Sequence, residues 1–223
     1  MNILVKYPTR QRPELFLETL SAYIKKAADN SKIKYLISFD NDDQSMTPAF
    51  LQRAQALGDN VILKNGISKN KIDACNRDIN DLNWQWDILL LVSDDMHVQV
   101  EHWDDVIRKD MQKHFPDTDG CLWYDDSDQK RVCTLSCMGK VFYDRFKYIY
   151  WHEYKSFFCD NEFTDRALDM NKMVMLNSRI IKHEHPAWKG TVKPDELYKH
   201  NDQYWNEDKT TYFRRKQSNF ITL

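Results

Sequence analysis

An alternation of apolar strands and amphipathic helices in the first part of the chain is the feature that most limits its fold. Apolar runs predict strands, and helical spacing of apolar residues predicts the segments between them. The predicted strands are Asn2–Tyr7, Lys34–Phe39, Val61–Lys64 and Trp86–Ser93. The predicted helices are one that begins at Pro13, Pro48–Leu57 and Ser68–Asn80. Strands joined by crossover helices imply an α/β fold, with a mostly parallel central sheet flanked by helices.

The ends of these strands are where we expect a functional site. The run from Ile88 to Val92 is apolar throughout, which is typical of a central strand covered on both faces. In open α/β sheets, ligands bind at the carboxyl ends of the strands. Polar clusters follow three of the predicted strands: Pro8-Thr9-Arg10 with Arg12, Asp40 to Asp43, and Ser93-Asp94-Asp95. We expect these clusters to converge at one edge of the sheet.

Beyond residue 115 the pattern becomes irregular and rich in aromatic residues. It predicts strands at Gly120–Tyr124, Val132–Met138 and Met173–Lys182, and a helix from Asn161 to Met170. We expect this half to complete the site.

Composition narrows the class of protein. The chain has 223 residues, of which 42% are hydrophobic and 30% charged, as in a single globular domain with a short appendage. No apolar run approaches the roughly 20 residues that span a bilayer, and the start MNILVKYPTR resembles neither a signal peptide nor an anchor. We therefore expect a soluble, cytoplasmic protein without a membrane span.

Several motifs are absent from the sequence. Five cysteines without a CxxC pair argue against a disulfide framework and a cysteine zinc site, and predict reduced packing residues. A formal net charge of −2 provides no general attraction to nucleic acid. Without GxGxxG, GxxxxGK[ST] or GxSxG, the usual marks of dinucleotide-dependent oxidoreductases, P-loop enzymes and α/β-hydrolases are missing.

The adjacent carboxylates Asp94 and Asp95 are the strongest chemical signal. Hard oxygen ligands at the end of a buried strand suit Mg²⁺ or Mn²⁺ bridging a diphosphate. A helix cap or a turn is the alternative interpretation. Two histidines, His183 and His185, follow a distant predicted strand and are candidate further ligands. His185, which precedes Pro186, is the stronger candidate, and a pair of surface histidines is the alternative.

An acidic group at the start of the predicted helix in the second half is a candidate general base. Asp160 follows an apolar stretch, where desolvation raises a carboxyl pKa toward that of a working base. The alternative is structural, since Asp160 is also a natural helix cap and Glu162 would face the helix dipole.

These motifs, in this order, resemble the inverting glycosyltransferases of the GT-A fold, particularly the family-2-like enzymes, over roughly residues 2 to 190. The resemblance implies a donor site for a nucleotide-sugar, with UDP as the expected nucleotide. The segment Pro8-Thr9-Arg10-Gln11-Arg12-Pro13 is similar to the family's PTRxRP segment beside the nucleotide, and Asp40 to its base-contacting acid. The further implied donor-site residues are Lys69, Lys71, Asn76 and Asp94; for the helical ones, a solvated helix face is the alternative.

The same resemblance assigns the chemistry. Ser93-Asp94-Asp95 is similar to the DxD metal motif with a serine in first place, so Asp95 is the expected metal ligand. His185 is similar to the family's C-terminal metal histidine, with His183 as its neighbour. The Asp160-Asn161-Glu162 segment looks like the motif that supplies the base, but the usual order differs, so Asp160 and Glu162 compete for that role.

Together these features predict a hexosyl- or pentosyltransferase that uses Mn²⁺ or Mg²⁺ and inverts the anomeric centre. Residues 1–190 would form the GT-A domain, with 1–115 as the nucleotide-sugar-binding half and 116–190 as the acceptor and catalytic half, followed by an extension at 191–223. One alternative is a metal-dependent nucleotidyltransferase or phosphohydrolase. Another is a non-catalytic nucleotide-sugar-binding module.

The acceptor is indicated only by the end of the chain. Residues 209–220 carry Lys209, Arg214, Arg215 and Lys216 among aromatic residues, a mixture that contacts phosphates and bases. With the compact length and the SDDM and HEHP segments, the chain also resembles small phage-encoded glycosyltransferases that act on hydroxymethylated DNA bases, which would work in the host cytoplasm. A saccharide or cell-wall acceptor is the alternative, and a solvated terminal helix is the alternative interpretation of the tail.

Overall fold

The computed structural model describes residues 1–126, 129–184 and 196–220. Its strands, in chain order, are β1 (Ile3–Pro8), β2 (Ile33–Asp40), β3 (Val61–Gly66), β4 (Ile88–Leu91), β5 (Met96–Val98), β6 (Cys121–Tyr124), β7 (Cys137–Gly139), β8 (Met173–Leu176) and β9 (Ile181–His183). Its helices are α1 (Pro13–Lys26), α2 (Pro48–Gln55), α3 (Lys71–Asn76), α4 (Trp103–His114), α5 (Lys140–Asp144), α6 (Cys159–Asp169), α7 (Glu196–Asp202) and α8 (Trp205–Gln217), with a 3₁₀ turn at Asn30–Lys32.

Seven strands form the central sheet in the order β3-β2-β1-β4-β7-β6-β8. Strands β3, β2, β1 and β4 are parallel to one another, as strand–helix alternation requires. Strand β7 runs antiparallel to both β4 and β6, whereas β8 is parallel to β6. The predicted α/β fold with a mostly parallel central sheet is confirmed. Strands β5 and β9 form a separate antiparallel pair.

Strand β4 separates two hydrophobic cores. Ile88 and Leu90 belong to one core, and Leu89 and Leu91 belong to the other. Side chains alternate between the two faces of a strand, so an uninterrupted apolar run supplies both cores. The prediction of a central strand covered on both faces is confirmed.

Two predicted elements have other bounds. Within the predicted helix at 68–80, only Lys71–Asn76 is helical, because Asn70 caps its start through a 2.9 Å bond from Asp73 N and the backbone at Asp78 is left-handed. The predicted strand at 173–182 is divided into β8 and β9, which belong to different sheets. The turn-forming residues Asn177 and Ser178 lie between the two strands.

The predicted strand at 132–138 is also mostly non-strand. Only its end joins β7, and the backbone N–H of Cys133 donates instead to the Thr164 hydroxyl, at 2.9 Å.

Two features of composition have structural counterparts. All five cysteines are free and buried, as predicted. Within the described parts of the chain, no helix has the length and apolar character needed to cross a bilayer.

The C-terminal helix α8 packs against the body of the molecule. Asp208, which is fully buried, accepts hydrogen bonds from the backbone N–H groups of residues 155, 156 and 157 at 2.8–2.9 Å. Arg215 is also buried, and its guanidinium pairs with Glu162 on α6. Helix α8 therefore packs against α6 through its buried side and is not a solvated terminal helix.

Candidate active site

The carboxyl ends of β1, β2 and β4 meet at one edge of the sheet, as predicted. Pro8 is the last residue of β1, and the next residue, Thr9, donates from Oγ1 to Oδ1 of Asp94 at 3.1 Å. Arg10 donates from Nη1 to Oδ2 of Asp40 at 2.9 Å. Parallel strands end on the same side of a sheet, which explains why polar clusters far apart in sequence are in direct contact.

Asp40 is the centre of a polar network at the end of β2. Its Oδ1 accepts a 2.9 Å hydrogen bond from the backbone N–H of Ser68. Arg10 also pairs with Asp42 through both guanidinium nitrogens, at 2.7 and 3.0 Å. Arg77 lies on the other side, with Nη2 3.6 Å from Oδ1 of Asp40. Asp40 is thus oriented by two arginines and one backbone amide.

Arg77 was not identified from the sequence. Its Nη2 donates to the carbonyl of Phe39 at 2.7 Å, and its Nε donates to Oγ of Ser68 at 2.9 Å. A Cβ atom at Gly66 would lie 2.2 Å from Nη1 of Arg77, so glycine makes room for the guanidinium. Arg77 therefore stabilises the segments on either side of the Asp40 network.

Lys6 lies beneath this network and was also missed. It is fully buried within β1; its Nζ donates to Oγ of Ser38 and, at 2.9 Å, to the carbonyl of Arg77. Ser38 in turn donates to Asp78 at 2.6 Å. Burial lowers the pKa of Lys6 to about 8. The signal available in the sequence was a single lysine inside the otherwise apolar strand ILVKYP.

Asp94 and Asp95 are adjacent but differently placed. Asp94 is buried beside Thr9, and burial, followed by the charge of Asp95, raises its pKa to about 7. Asp95 accepts a hydrogen bond from Ser93 and faces two cationic or ligating groups. Nη1 of Arg12 lies 3.9 Å from its Oδ2, and Nε2 of His183 lies 3.7 Å from its Oδ1.

Strand pairing brings His183 to Asp95. Strand β9 pairs with β5 so that His183 is opposite Met96, the residue after Asp95. The backbone N–H of Glu184 also donates to the carbonyl of Asp95 at 2.8 Å. His185, the stronger candidate from the sequence, lies outside the described residues. Of the two histidines, His183 is the one whose side chain can be compared with the prediction.

Asp95 and His183 offer donor atoms that suit a divalent metal ion. A carboxylate oxygen and an imidazole nitrogen are both ligands that Mn²⁺ accepts, and Mg²⁺ takes the former. Among residues 1–126, 129–184 and 196–220, no group of three or more His, Cys, Asp or Glu side chains is arranged to hold a metal ion. A metal at this pair would therefore need further ligands from outside the described residues, such as a substrate, water or the candidate His185.

Asp160 and Glu162 are in contrasting environments on α6. Burial raises the pKa of Asp160, and the positive charge of Lys71 opposes the shift. Glu162 is fully buried and its oxygens are engaged: Arg215 donates to each of them at 2.7 Å, and the Tyr154 hydroxyl donates at 2.9 Å.

The residues of α3 that were expected at the donor have different contacts. Lys69 and Lys71 are exposed, as residues that meet a ligand can be. Asn76 uses its side-chain amide on the backbone of another segment. Its Oδ1 accepts from the N–H groups of Ile149 and Tyr150 at 2.9 and 3.1 Å, and its Nδ2 donates to the carbonyl of Tyr150 at 2.6 Å. In this structure Asn76 holds the 149–150 segment through three hydrogen bonds of its amide.

Comparison with known proteins gives no match by sequence: neither a family model nor a curated protein matches the chain. By structure, it is similar to the mannosyltransferase PcManGT from Pyrobaculum calidifontis in complex with GDP-Man and Mn²⁺, with a TM-score of 0.62 and 12% identity, covering 80% of this chain and 55% of that one. It is also similar to S. aureus TarS 1-349 in complex with UDP-GlcNAc, with a TM-score of 0.65 and 15% identity, covering 97% and 74%. The chain has the GT-A glycosyltransferase fold.

The GT-A likeness extends over nearly the whole chain, yet the chain is shorter than these neighbours. It spans 55% of the mannosyltransferase and 44% of the longer TarS structure. Within its GT-A fold, the polar ends of β1, β2 and β4 share one edge, and the β5–β9 pair adds His183 to it. Asp160 is connected to this group through Thr164, whose hydroxyl donates to the Asp160 carbonyl and accepts from the N–H of Cys133. The residue after Cys133 is Thr134, which contacts His183.

Proposed function

We propose that the protein is a metal-dependent glycosyltransferase that moves a sugar from a nucleotide-sugar to a hydroxyl acceptor. The observation that carries this proposal is the approach of His183 Nε2 to within 3.7 Å of Asp95 Oδ1 at the polar edge of the sheet. A metal-compatible pair and an acid of raised pKa are the two groups that such a transfer needs. The GT-A neighbours, whose complexes contain UDP-GlcNAc or GDP-Man with Mn²⁺, support it.

The donor would lie along the ends of β1, β2 and β4. In this proposal Arg10 and Asp40 contact the nucleoside, because they form the polar network at the end of β2. Arg12, together with the exposed Lys69 and Lys71, would face the diphosphate. Asp95 and His183 would hold Mn²⁺ or Mg²⁺, and His185 stays a candidate ligand. We propose a UDP-sugar as the donor. GDP-sugars are the second class to assay, because one structural neighbour is in complex with GDP-Man.

The reaction is a single displacement. When bound, the metal ion neutralises the charge that develops on the diphosphate. The acceptor oxygen forms a bond to the anomeric carbon while the bond to the diphosphate breaks, with its electron pair leaving on the phosphate oxygen. Asp160 takes the acceptor proton, for which its partial burial and raised pKa suit it. Displacement from the opposite face inverts the anomeric centre.

Asp160 is the better of the two base candidates. Glu162 has its oxygens bound by Arg215 and Tyr154, and it is enclosed by protein. A carboxylate held in this way stabilises the fold and has little access to an acceptor hydroxyl. We therefore assign the base to Asp160 and a structural role to Glu162.

The acceptor we favour is a saccharide hydroxyl. The basic tail suggested DNA, but three of its four cations are paired with acids in the structure: Arg215 with Glu162, Arg214 with Glu153, and Lys216 with Asp165. Paired charges release fewer counterions from a polyanion, which weakens the case for a hydroxymethylated DNA base. A hydroxymethylated DNA base is then supported as the acceptor only by the resemblance to small phage-encoded glycosyltransferases.

The test is a screen of UDP- and GDP-sugars with Mn²⁺ against oligosaccharides and hydroxymethylated DNA, with products identified by mass spectrometry. Transfer of one sugar mass to an oligosaccharide, lost in Asp95→Asn, is the expected result. Transfer of the sugar to DNA would change the proposed acceptor but not the proposed reaction. Release of nucleotide phosphate without sugar transfer would indicate a phosphohydrolase, and donor binding without turnover would indicate a binding module.

A further inference from the structure

The hydroxyl of Thr134 connects a buried carboxylate, Asp126, to His183. Asp126 is 1% exposed, and its Oδ2 accepts a hydrogen bond from the Thr134 hydroxyl. That hydroxyl lies 3.2 Å from Nδ1 of His183. On the other edge of the ring, Nε2 lies 3.7 Å from Oδ1 of Asp95. The ring therefore contacts Thr134 through one nitrogen and faces Asp95 with the other.

The direction of these hydrogen bonds follows from the chemistry of a hydroxyl group. A hydroxyl has one proton to donate, whereas an ionised carboxylate only accepts. Thr134 donates its proton to Asp126, so toward His183 its oxygen can only accept. The neutral imidazole must then carry its proton on Nδ1, and Nε2 keeps a lone pair. A metal ligand at Nε2 requires this tautomer.

The backbone reinforces the position of the ring. The N–H of His183 donates to the carbonyl of Asp126 at 2.8 Å, so the same residue holds both the main chain and, through Thr134, the side chain. On the other side, β9 is paired with β5. A histidine held at its backbone and at one ring nitrogen loses little freedom when the second nitrogen binds a metal.

We propose that Thr134 and Asp126 are positioning residues that fix His183 as its Nδ1–H tautomer and aim Nε2 at a divalent metal ion beside Asp95. The metal in this inference rests on the proposed function, whereas the tautomer does not. The two parts are therefore tested separately, first without metal and then with it.

The metal-free test is nitrogen NMR of ¹⁵N-histidine-labelled protein, at a pH where the ring is neutral, with His183→Gln identifying the His183 signals. The wild-type ring should carry its proton on Nδ1. Thr134→Val, which keeps the shape without the hydroxyl, should lose this preference, and Thr134→Ser should restore it. An Nε2–H ring in the wild-type protein would overturn the proposal, as would an unchanged tautomer in Thr134→Val.

The second test is calorimetric titration of Mn²⁺ into the protein with UDP present. Thr134→Val should weaken Mn²⁺ binding about 10- to 100-fold, as loss of an orienting partner does, while Thr134→Ser keeps most of the affinity. The matched control is Ser136→Ala, which removes a buried hydroxyl from the same segment at its 2.9 Å contact with Tyr150. It should lower the melting temperature without changing Mn²⁺ affinity.

The outcomes separate this inference from the proposed function. If wild-type protein binds Mn²⁺ and Thr134→Val binds it equally well, the positioning role is wrong and the metal site stands. If wild-type protein binds no Mn²⁺, the metal in the proposed function is wrong, and the NMR result still decides the tautomer. Should Thr134→Val fail to fold, Asp126→Ala, which removes the acceptor of the Thr134 hydroxyl proton, should shift the tautomer and the Mn²⁺ affinity in the same direction; unchanged values would overturn the proposal.

Discussion

Arg215 donates hydrogen bonds of 2.7 Å to both carboxylate oxygens of Glu162 and so connects helix α8 to helix α6. Both residues are buried. The neighbouring Arg214 instead makes a largely exposed pair with Glu153. Two adjacent arginines of a basic tail thus have different roles, and only the buried one is part of the folded core.

We expect Arg215→Ala to lower the free energy of unfolding by about 3–5 kcal/mol, because a buried carboxylate would lose its partner. Arg214→Ala is the matched control, and at an exposed pair it should cost only about 0–1 kcal/mol. Urea denaturation of the two variants measures both values. Equal losses would mean that α8 is held by something other than the Glu162 pair.

Asp160→Asn should abolish most sugar transfer while donor and metal binding persist. An amide keeps the size of the side chain but cannot take the acceptor proton, and loss of a general base costs roughly 10²- to 10⁴-fold in rate. Single-turnover assays give the rate, and calorimetry gives donor affinity. The comparison variant is Glu162→Gln, which should reduce stability and leave the rate of the folded enzyme nearly unchanged. If Glu162→Gln is the inactive variant, the base has been assigned to the wrong residue.

His183→Ala should reduce the free energy of Mn²⁺ binding more than it reduces the free energy of unfolding. The substitution removes a proposed metal ligand from the β5–β9 pair. His97→Ala is a matched control, because His97 lies on β5 directly opposite Lys182 of β9 and has only a 3.9 Å contact with Glu184. Asp95→Asn should show the same loss of Mn²⁺ binding and of transfer. Mn²⁺ titration followed by electron paramagnetic resonance measures all three variants. Similar affinities for His97→Ala and His183→Ala would exclude His183 as a ligand.

Lys6 should make stability rise with pH in the alkaline range. Its pKa falls from 10.5 to about 8 on folding, so between these values the unfolded chain binds more protons than the folded one. The cost of burying the charged form, about 3 kcal/mol, is fully present below pH 8 and disappears as pH rises to the unfolded pKa. Urea denaturation from pH 7 to 10.5 should show this rise in wild-type protein, measured relative to Lys6→Met. Parallel curves for the two proteins would mean that Lys6 titrates normally.

The sequence alone was sufficient to predict the α/β fold and the sheet edge that carries the polar clusters. Both depend on local information, since apolar periodicity reports which face of an element is buried, and crossover helices require parallel strands. Parallel strands then place Thr9, Asp40 and Asp94 at one edge whatever their separation along the chain. The half-domain boundaries and the catalytic roles of the individual residues stay predictions.

Only the tertiary structure decided which distant groups meet. The contact of His183 with Asp95 depends on the pairing of β9 with β5. The sequence predicted β8 and β9 as one continuous strand, so it did not predict this pairing. Glu162, a candidate base, and Arg215, a candidate nucleic-acid contact, form a buried ion pair that the sequence did not predict. Lys6 and Arg77 form a buried network whose members come from separate elements. Periodicity cannot encode such contacts, because they depend on how the elements pack in three dimensions and on the low dielectric between them.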